Sequence, residues 1–289
     1  MTHTNISTLT LPADLASDLK LPPDVVEQLL AIMTKASQRI LLHYNNEEGV
    51  MVDHKDDKSP ITAADRDAHI ILESGLKALT PSIPVLSEES SDEAVQSRRQ
   101  WPCCWLVDPL DGTREFIGRT DEFTINVALV SDTRAVLGVI MLPVSGLAYI
   151  GIPGVGAWRC RGDRCQALTV RELDCSGPLG VLASVRHCDN KVAKVLSALG
   201  GIGSGVERVN AGSAIKFCSL VDGKADIYPR TSPCYEWDVA AGDAIVTAAG
   251  GFVWGVDGQP MRYNQRDTLL VNRFVAGADA SIEWIDKLY

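Results

Sequence analysis

An apolar run, Trp105-Leu106-Val107, ends in Asp108-Pro109-Leu110-Asp111-Gly112-Thr113, and no other stretch constrains the fold more. Proline cannot donate to a strand ladder and Gly112 follows as a turn residue, so the strand must bend where two carboxylates sit. Bent acidic backbone suits a hard cation, with carboxylate oxygens and a main-chain carbonyl, that of Leu110, as donors. The plainer alternative is an Asp-rich turn whose side chains bond their own backbone. Asp-x-x-Asp alone does not choose between the two.

A chain of 289 residues, 46% hydrophobic, is long enough for one large or two modest cores. Its formal charge of -10, from 27 Lys+Arg against 37 Asp+Glu, argues against nucleic-acid binding through a broad basic surface and against a polybasic membrane contact. An anionic substrate therefore needs local help from a metal or a few placed cations. No apolar run is long enough for a transmembrane segment, and Met1 to Lys20 lacks a charged-then-apolar secretory pattern. The expectation is a cytoplasmic protein, with peripheral membrane association left open. Its 8 cysteines form no Cys-x-x-Cys and read as reduced core residues, and the adjacent pair His187-Cys188 lacks further ligands at zinc spacing.

Residues 1–23 lack periodicity and end in Pro22-Pro23, which suggests a flexible leader. Val26, Leu29, Leu30, Met33, Ile40 and Tyr44 then recur at helical spacing until Asn45-Asn46. Thr62 is placed to cap a second helix with the stripe Ile71, Leu72, Leu76 and Leu79; Asp65 falls in its first turn, where capping alone accounts for a carboxylate. Ile83 to Leu86 reads as a short strand running into Ser87-Glu88-Glu89. Phe123–Val130, Ala135–Leu142 and Leu147–Ile152 read as an antiparallel meander. From about Gly180 strands and helices alternate, ending in an alanine-rich helix over Trp237–Ala249 with Asp238 in its first turn. The fold class expected is α/β, an α+β layered sandwich. N-terminal helices lie on an antiparallel sheet over 24–165, and an α/β domain follows over 166–289.

Asp65, Glu88, the Asp108/Asp111 pair and Asp238 all lie at helix starts or strand ends, from which side chains reach a cleft between layers. Convergence of so many anions would be repulsive, and divalent cations are the simplest remedy. Magnesium fits best, because it prefers oxygen and binds through few carboxylates plus substrate phosphate.

Taken in order, Ser87-Glu88-Glu89, Trp105 through Phe116, and Trp237-Asp238-Val239-Ala240-Ala241-Gly242 resemble the three signatures of the inositol monophosphatase superfamily of magnesium-dependent, lithium-sensitive phosphatases. Within it, Ser59 to Asp65, Glu115-Phe116-Ile117, Gly212 to Cys218 and Ile227-Tyr228-Pro229-Arg230 are most similar to the CysQ-type 3'(2'),5'-bisphosphate nucleotidases. The resemblance implies the sugar-phosphatase type of fold and two or three Mg²⁺ held by Glu88, Asp108, Asp111, Asp238 and the Leu110 carbonyl. Asp65 and Thr113 match the pair that activates water. Gly112 and Thr113 would hold phosphate through backbone N–H groups, and Ser213, Lys216 and Arg230 would read a second phosphate or the ribose. Arg114 departs from the pattern where many relatives have Lys, and Thr231 to Glu236 does not align, which leaves substrate choice open.

The activity the resemblance implies is hydrolysis of the 3'-phosphate of adenosine 3',5'-bisphosphate to AMP and phosphate, with its sulfated derivative as a further candidate substrate, in sulfate assimilation. The partner is a phosphorylated nucleotide, and a homodimer is compatible. The alternatives are an inositol monophosphatase or a fructose-1,6-bisphosphatase-like sugar phosphatase, and, from another class, a non-catalytic metal- or nucleotide-binding protein on the same fold.

Overall fold

The computed structural model describes residues 3–46, 52–54, 60–183 and 190–288. His187-Cys188 and most of the charged loop after His54 lie outside them.

Long apolar strands with both faces covered organise the chain. Cys103–Asp111 and Thr124–Ser131 lie in an eight-stranded sheet. Even the polar Thr124 and Asn126 of the second strand are buried. The alternation of strand side chains explains this: Trp105 and Val107 face one core, Cys104 and Leu106 the other. On one side sit the amphipathic helices Val25–Tyr44 and Ala63–Leu79, whose apolar stripes were legible in the sequence. On the other sits the Glu236–Ala248 helix. That helix approaches closely because the strands beneath it present glycines. A Cβ at Gly138 would lie 2.3 Å from the Ala241 carbonyl, and one at Gly151 2.3 Å from Ile245 Cα.

The expected meander is longer than three strands. It continues through Gly156–Arg161 and Arg164–Leu168, and all neighbours pair antiparallel except Val85–Ser87, which runs parallel to Cys103–Asp111. A second, five-stranded sheet in the C-terminal half is mixed. Leu179–Ala183 pairs in parallel with Val206–Asn210 and Ile227–Arg230, while Phe274–Gly277 and Phe252–Gly255 run antiparallel. The helices Ile215–Val221 and Glu236–Ala248 belong to the core between the sheets, giving the layered α/β sandwich. Among the described residues no helix is long and apolar enough to cross a membrane.

Three expectations need correction. The leader is not loose: His3–Asn5 adds an edge strand beside Arg164–Leu168, and Ile6, Leu9, Leu11 and Leu21 are buried in the first core. Their irregular spacing hides this, because they wrap the core as loop and short helix rather than one periodic element. The boundary drawn at 165/166 falls inside the Arg164–Leu168 strand, and the sequence halves share a core through the Glu236–Ala248 helix. Finally, Cys160 and Cys165 are disulfide-bonded. They are directly opposed cross-strand partners in a tight hairpin, a pairing that sequence spacing without a known register does not reveal.

Candidate active site

The end of the Cys103–Asp111 strand gathers the carboxylates. Parallel pairing sets Ser87 opposite Val107, and Glu88 N–H donates to the Val107 carbonyl at 3.0 Å, so Glu88 follows its strand out beside Asp108. The ladder to Thr124–Ser131 slips between Asp108 and Asp111, at Pro109. Both acids then fall on one cluster. Asp238 joins them from the first turn of Glu236–Ala248, and one carboxylate oxygen from each of Asp108, Asp111 and Asp238 lies within 4.8 Å of the others.

Capping and convergence are not alternatives here. Asp108 Oδ1 accepts from Leu110 N–H at 3.0 Å, as an Asp turn should. Asp238 Oδ2 accepts from Tyr235 N–H at 2.8 Å and caps its helix. Asp65 Oδ2 accepts from Thr62 N–H at 2.8 Å and from the Thr62 hydroxyl at 2.5 Å, while Oδ1 accepts from Thr113 Oγ1 at 3.3 Å. Each carboxylate uses local bonds to fix its orientation and has oxygen capacity left for the cluster.

The electrostatics state the cost of this arrangement. Asp108, fully buried, has its pKa pushed well above the usual carboxylate range by burial first and then by Glu88, Asp111 and Asp238. Asp111 is pushed up to about 6 by burial and Asp238, against the pull of Lys216 and Arg230. Burial also raises Asp238. Carboxylate oxygens this close form an oxygen-only donor set of the kind that takes a hard divalent cation.

The turn after the strand needs its glycine. Gly112 has φ 91°, and a Cβ there would meet the Glu122 carbonyl at 3.0 Å and Ser213 Cβ at 3.2 Å. The short helix Thr113–Ile117 starts at once and turns Thr113 back, so that its hydroxyl lies 3.3 Å from Asp65 Oδ1 and 3.4 Å from the Leu110 carbonyl.

Asp111, Gly112, Ser213, Lys216, Arg230 and Asp238 line one cleft. Asp65, Glu88, Asp108, Leu110 and Thr113 adjoin it through these residues rather than lining it. Lys216, expected to read a second phosphate, is buried and donates to the carbonyls of Ser213, at 2.6 Å, and Ala211, at 3.3 Å. It thereby closes a loop in which Ser213 is held at φ 41°. Burial lowers its pKa to about 8, although Asp111 opposes the shift. Arg230 donates to the Ser232 and Pro233 carbonyls and to the Tyr228 hydroxyl, and Tyr228 is the leading influence keeping its charge firmly in place.

Sequence reasoning missed Tyr228, Phe217 and Phe274 as cleft walls. Tyr228 had a signal: two positions before Arg230 on a strand, it must share that residue's face. Phe274 had none, since it arrives from a distant strand. Asn126, whose amide reaches Asp111 Oδ2 at 3.4 Å, was hidden in an apolar run.

A model described as the inositol monophosphatase family matches residues 23–285. The chain is 39% identical over 246 residues to the 3'(2'),5'-bisphosphate nucleotidase CysQ of Salmonella typhimurium, covering 85% of this chain and 96% of that protein. It is 32% identical to the CysQ of Haemophilus influenzae, covering 92% and 97%. A crystal structure of CysQ from Bacteroides thetaiotaomicron superposes with a TM-score of 0.76 at 36% identity, covering 87% of this chain and 97% of that one.

Proposed function

The chain belongs to the inositol monophosphatase family, and on that premise we propose that it is a phosphoric monoester hydrolase removing the 3'-phosphate of adenosine 3',5'-bisphosphate to yield AMP and phosphate. The observation that carries the choice of substrate is a wall shared by two neighbouring cavities. Lys216, Tyr228 and Arg230 line both the carboxylate cleft and a neighbouring pocket walled by Val181, Leu182 and Val195. A phosphate among the carboxylates would leave a second anion facing two cations and an apolar base facing an apolar wall. An inositol phosphate has no use for that wall. The CysQ relatives named above support the same reading.

Glu88, Asp108, Asp111, Asp238 and the Leu110 carbonyl would hold two or three Mg²⁺. When bound, these ions neutralise phosphate oxygens, acidify water and stabilise the leaving oxygen. The protein's own share is positional. With its proton given to Asp65 Oδ1, the Thr113 hydroxyl keeps its lone pairs to accept from an attacking water. Asp65, whose pKa burial raises, is a better proton acceptor than an exposed carboxylate. Lys216 holds the Ser213 loop against Gly112, so the phosphate side of the cleft keeps its shape.

Steady-state comparison of adenosine 3',5'-bisphosphate, inositol 1-phosphate and fructose 1,6-bisphosphate tests the reading. The bisphosphate nucleotide is expected to have the highest kcat/KM. A preference for either other substrate rejects the nucleotide assignment, and no phosphate release from any of them rejects the enzyme. Lys216→Ala is expected to reduce kcat/KM far more for the nucleotide than for a monophosphate; equal losses would leave Lys216 with its loop-holding role alone.

A further inference from the structure

Glu236 opens the helix that carries Asp238, yet it does not line the cleft. Its carboxylate is fully buried, where an apolar side chain would be the ordinary choice. Both oxygens are engaged by one distant segment: Oε2 accepts from Asn264 N–H at 2.7 Å and Oε1 from Arg266 Nη2 at 3.1 Å. A buried ion pair of this kind is poor evidence of added stability, because desolvation offsets the attraction. Position is the better account of it.

The segment that holds Glu236 is itself held. Asn264 has φ 56°, a left-handed conformation that its side chain secures. Its Nδ2 donates to the Arg98 carbonyl at 2.7 Å and to the Trp101 carbonyl at 3.3 Å, while Oδ1 accepts from Arg98 Nη1 at 2.9 Å. Arg98, buried like Glu236, also donates from Nη2 to the carbonyls of Arg266, at 2.7 Å, and Asp267, at 3.0 Å. Residues 98–101 lead directly into the Cys103–Asp111 strand. A continuous bridge therefore runs outside the cleft. It starts at the strand that bears Asp108 and Asp111, passes through Arg98 and Asn264, and ends at Glu236 and the helix turn that bears Asp238.

Main-chain bonds fix only where the chain enters that helix. Cys234–Tyr235 pairs with Leu270–Val271, and Glu236 N–H donates to the Leu269 carbonyl at 2.9 Å. The first turn of a helix lacks intrahelical partners for its N–H groups and frays readily. The bond from Tyr235 N–H to Asp238 Oδ2 stays within that turn and does not orient it against the strand. The Glu236 side chain does.

We infer that Glu236 is a positioning residue: tied through Asn264 to Arg98, it sets the separation of Asp238 from Asp108 and Asp111, and with it the affinity of the carboxylate cluster for a divalent cation. The inference rests on the cation-holding part of the function proposed above.

The test is isothermal titration of the full chain with magnesium chloride, well below the melting temperature of each variant. Asp111→Asn identifies the heat that belongs to the cleft. Glu236→Ala is expected to weaken magnesium binding by roughly tenfold or more, the order of loss for partners that orient metal ligands. Glu236→Gln keeps an acceptor for Asn264 N–H and should stay within about threefold of wild type, the charge lost being paired with a half-exposed Arg266. Loss of a nearby negative charge alone would weaken both variants alike. Arg266→Ala decides the matter where Glu236→Ala does not fold, since the Arg266 side chain is 42% exposed. Removing that cation would by charge alone strengthen magnesium binding, so the weakening expected from the lost bond reads position. Unchanged affinity in Glu236→Ala with a lowered melting temperature, equal losses in Glu236→Ala and Glu236→Gln, or undiminished binding in Arg266→Ala overturns the inference. When Asp111→Asn abolishes the wild-type binding and the Glu236 variants keep it, the inference falls and the cation reading stands. A wild type with no saturable magnesium binding removes both.

Discussion

Thr113 Oγ1 lies 3.3 Å from Asp65 Oδ1, joining side chains 48 positions apart in the chain. The other Asp65 oxygen is engaged by the Thr62 N–H and hydroxyl at the start of the Ala63–Leu79 helix. A helix cap thus aims the acid, because two bonds to one oxygen fix the plane in which the other must lie. This makes the Asp65–Thr113 contact a property of the helix start as much as of the cleft.

Removal of that hydroxyl tests the proton path. Thr113→Ala is expected to lower kcat by roughly 10²–10⁴-fold, the range for loss of positioned proton transfer. Thr113→Ser should recover most of it, since Ser keeps the donor. Both variants should melt within a few degrees of wild type, the lost bond being long and part-buried. A Thr113→Ser variant as slow as Thr113→Ala, measured by phosphate release, would rule the hydroxyl out.

Asp111→Asn should abolish turnover while relieving the metal-free protein of a buried like charge. Asp111 titrates at about 6 in the fold against 3.8 unperturbed, so without cations its contribution to stability falls as pH rises through that interval. Magnesium should therefore raise the wild-type melting temperature at neutral pH, and by about 2.7 kcal/mol of stability at a hundredfold excess over Kd. The gain should be much smaller in Asp111→Asn and near zero below about pH 4, where the carboxylates are protonated. An undiminished magnesium shift in the variant, read by thermal denaturation, would remove Asp111 from the metal-binding set.

Asp243 offers a pH test away from the cleft. Burial lifts its pKa to about 6, opposed by hydrogen bonds from the Tyr263 hydroxyl, at 2.8 Å, and Thr247 Oγ1, at 3.0 Å. An acid raised in the fold binds its proton more tightly there than when unfolded. Stability from this group is therefore highest at low pH and declines as pH rises from about 4 to about 6. Asp243 is only partly buried, which holds the decline to about 1–2 kcal/mol. The difference in unfolding free energy between Asp243→Asn and wild type should shift by that amount in favour of the variant across the interval. A constant difference in urea titrations at both ends would refute it.

Gly242 sits where the Glu236–Ala248 helix meets Phe217, and an added Cβ would lie 2.2 Å from the Phe217 ring. Alanine gains about 1 kcal/mol of helix propensity over glycine, but overpacking a close contact costs about 1–3 kcal/mol. Phe217 cannot yield freely, being stacked on Phe274 and edge-on to Tyr228. Gly242→Ala is expected to lower the melting temperature by several degrees and, because all three rings wall the cleft, to raise KM more than it lowers kcat. A variant as stable as wild type would show that the rings can move.

Local chemistry was readable without coordinates. Aspartates flanking a proline at the end of an apolar run and acids in the first turns of two helices carried the layered fold and the acids that gather, while the phosphatase chemistry came from the resemblance of three motifs to a known family. These features depend on each residue's neighbours in sequence, where strand, cap and turn preferences act. Tertiary structure alone decided the rest. It slipped the ladder at Pro109 so that Asp108 and Asp111 meet, and divided the oxygens of Asp65 between a cap and Thr113. It turned Lys216 onto its own loop, paired Cys160 with Cys165 and wove residues 3–5 into a sheet edge. Each of these depends on register or on a partner far along the chain, and pairwise contact at a distance leaves no periodic trace in a single sequence.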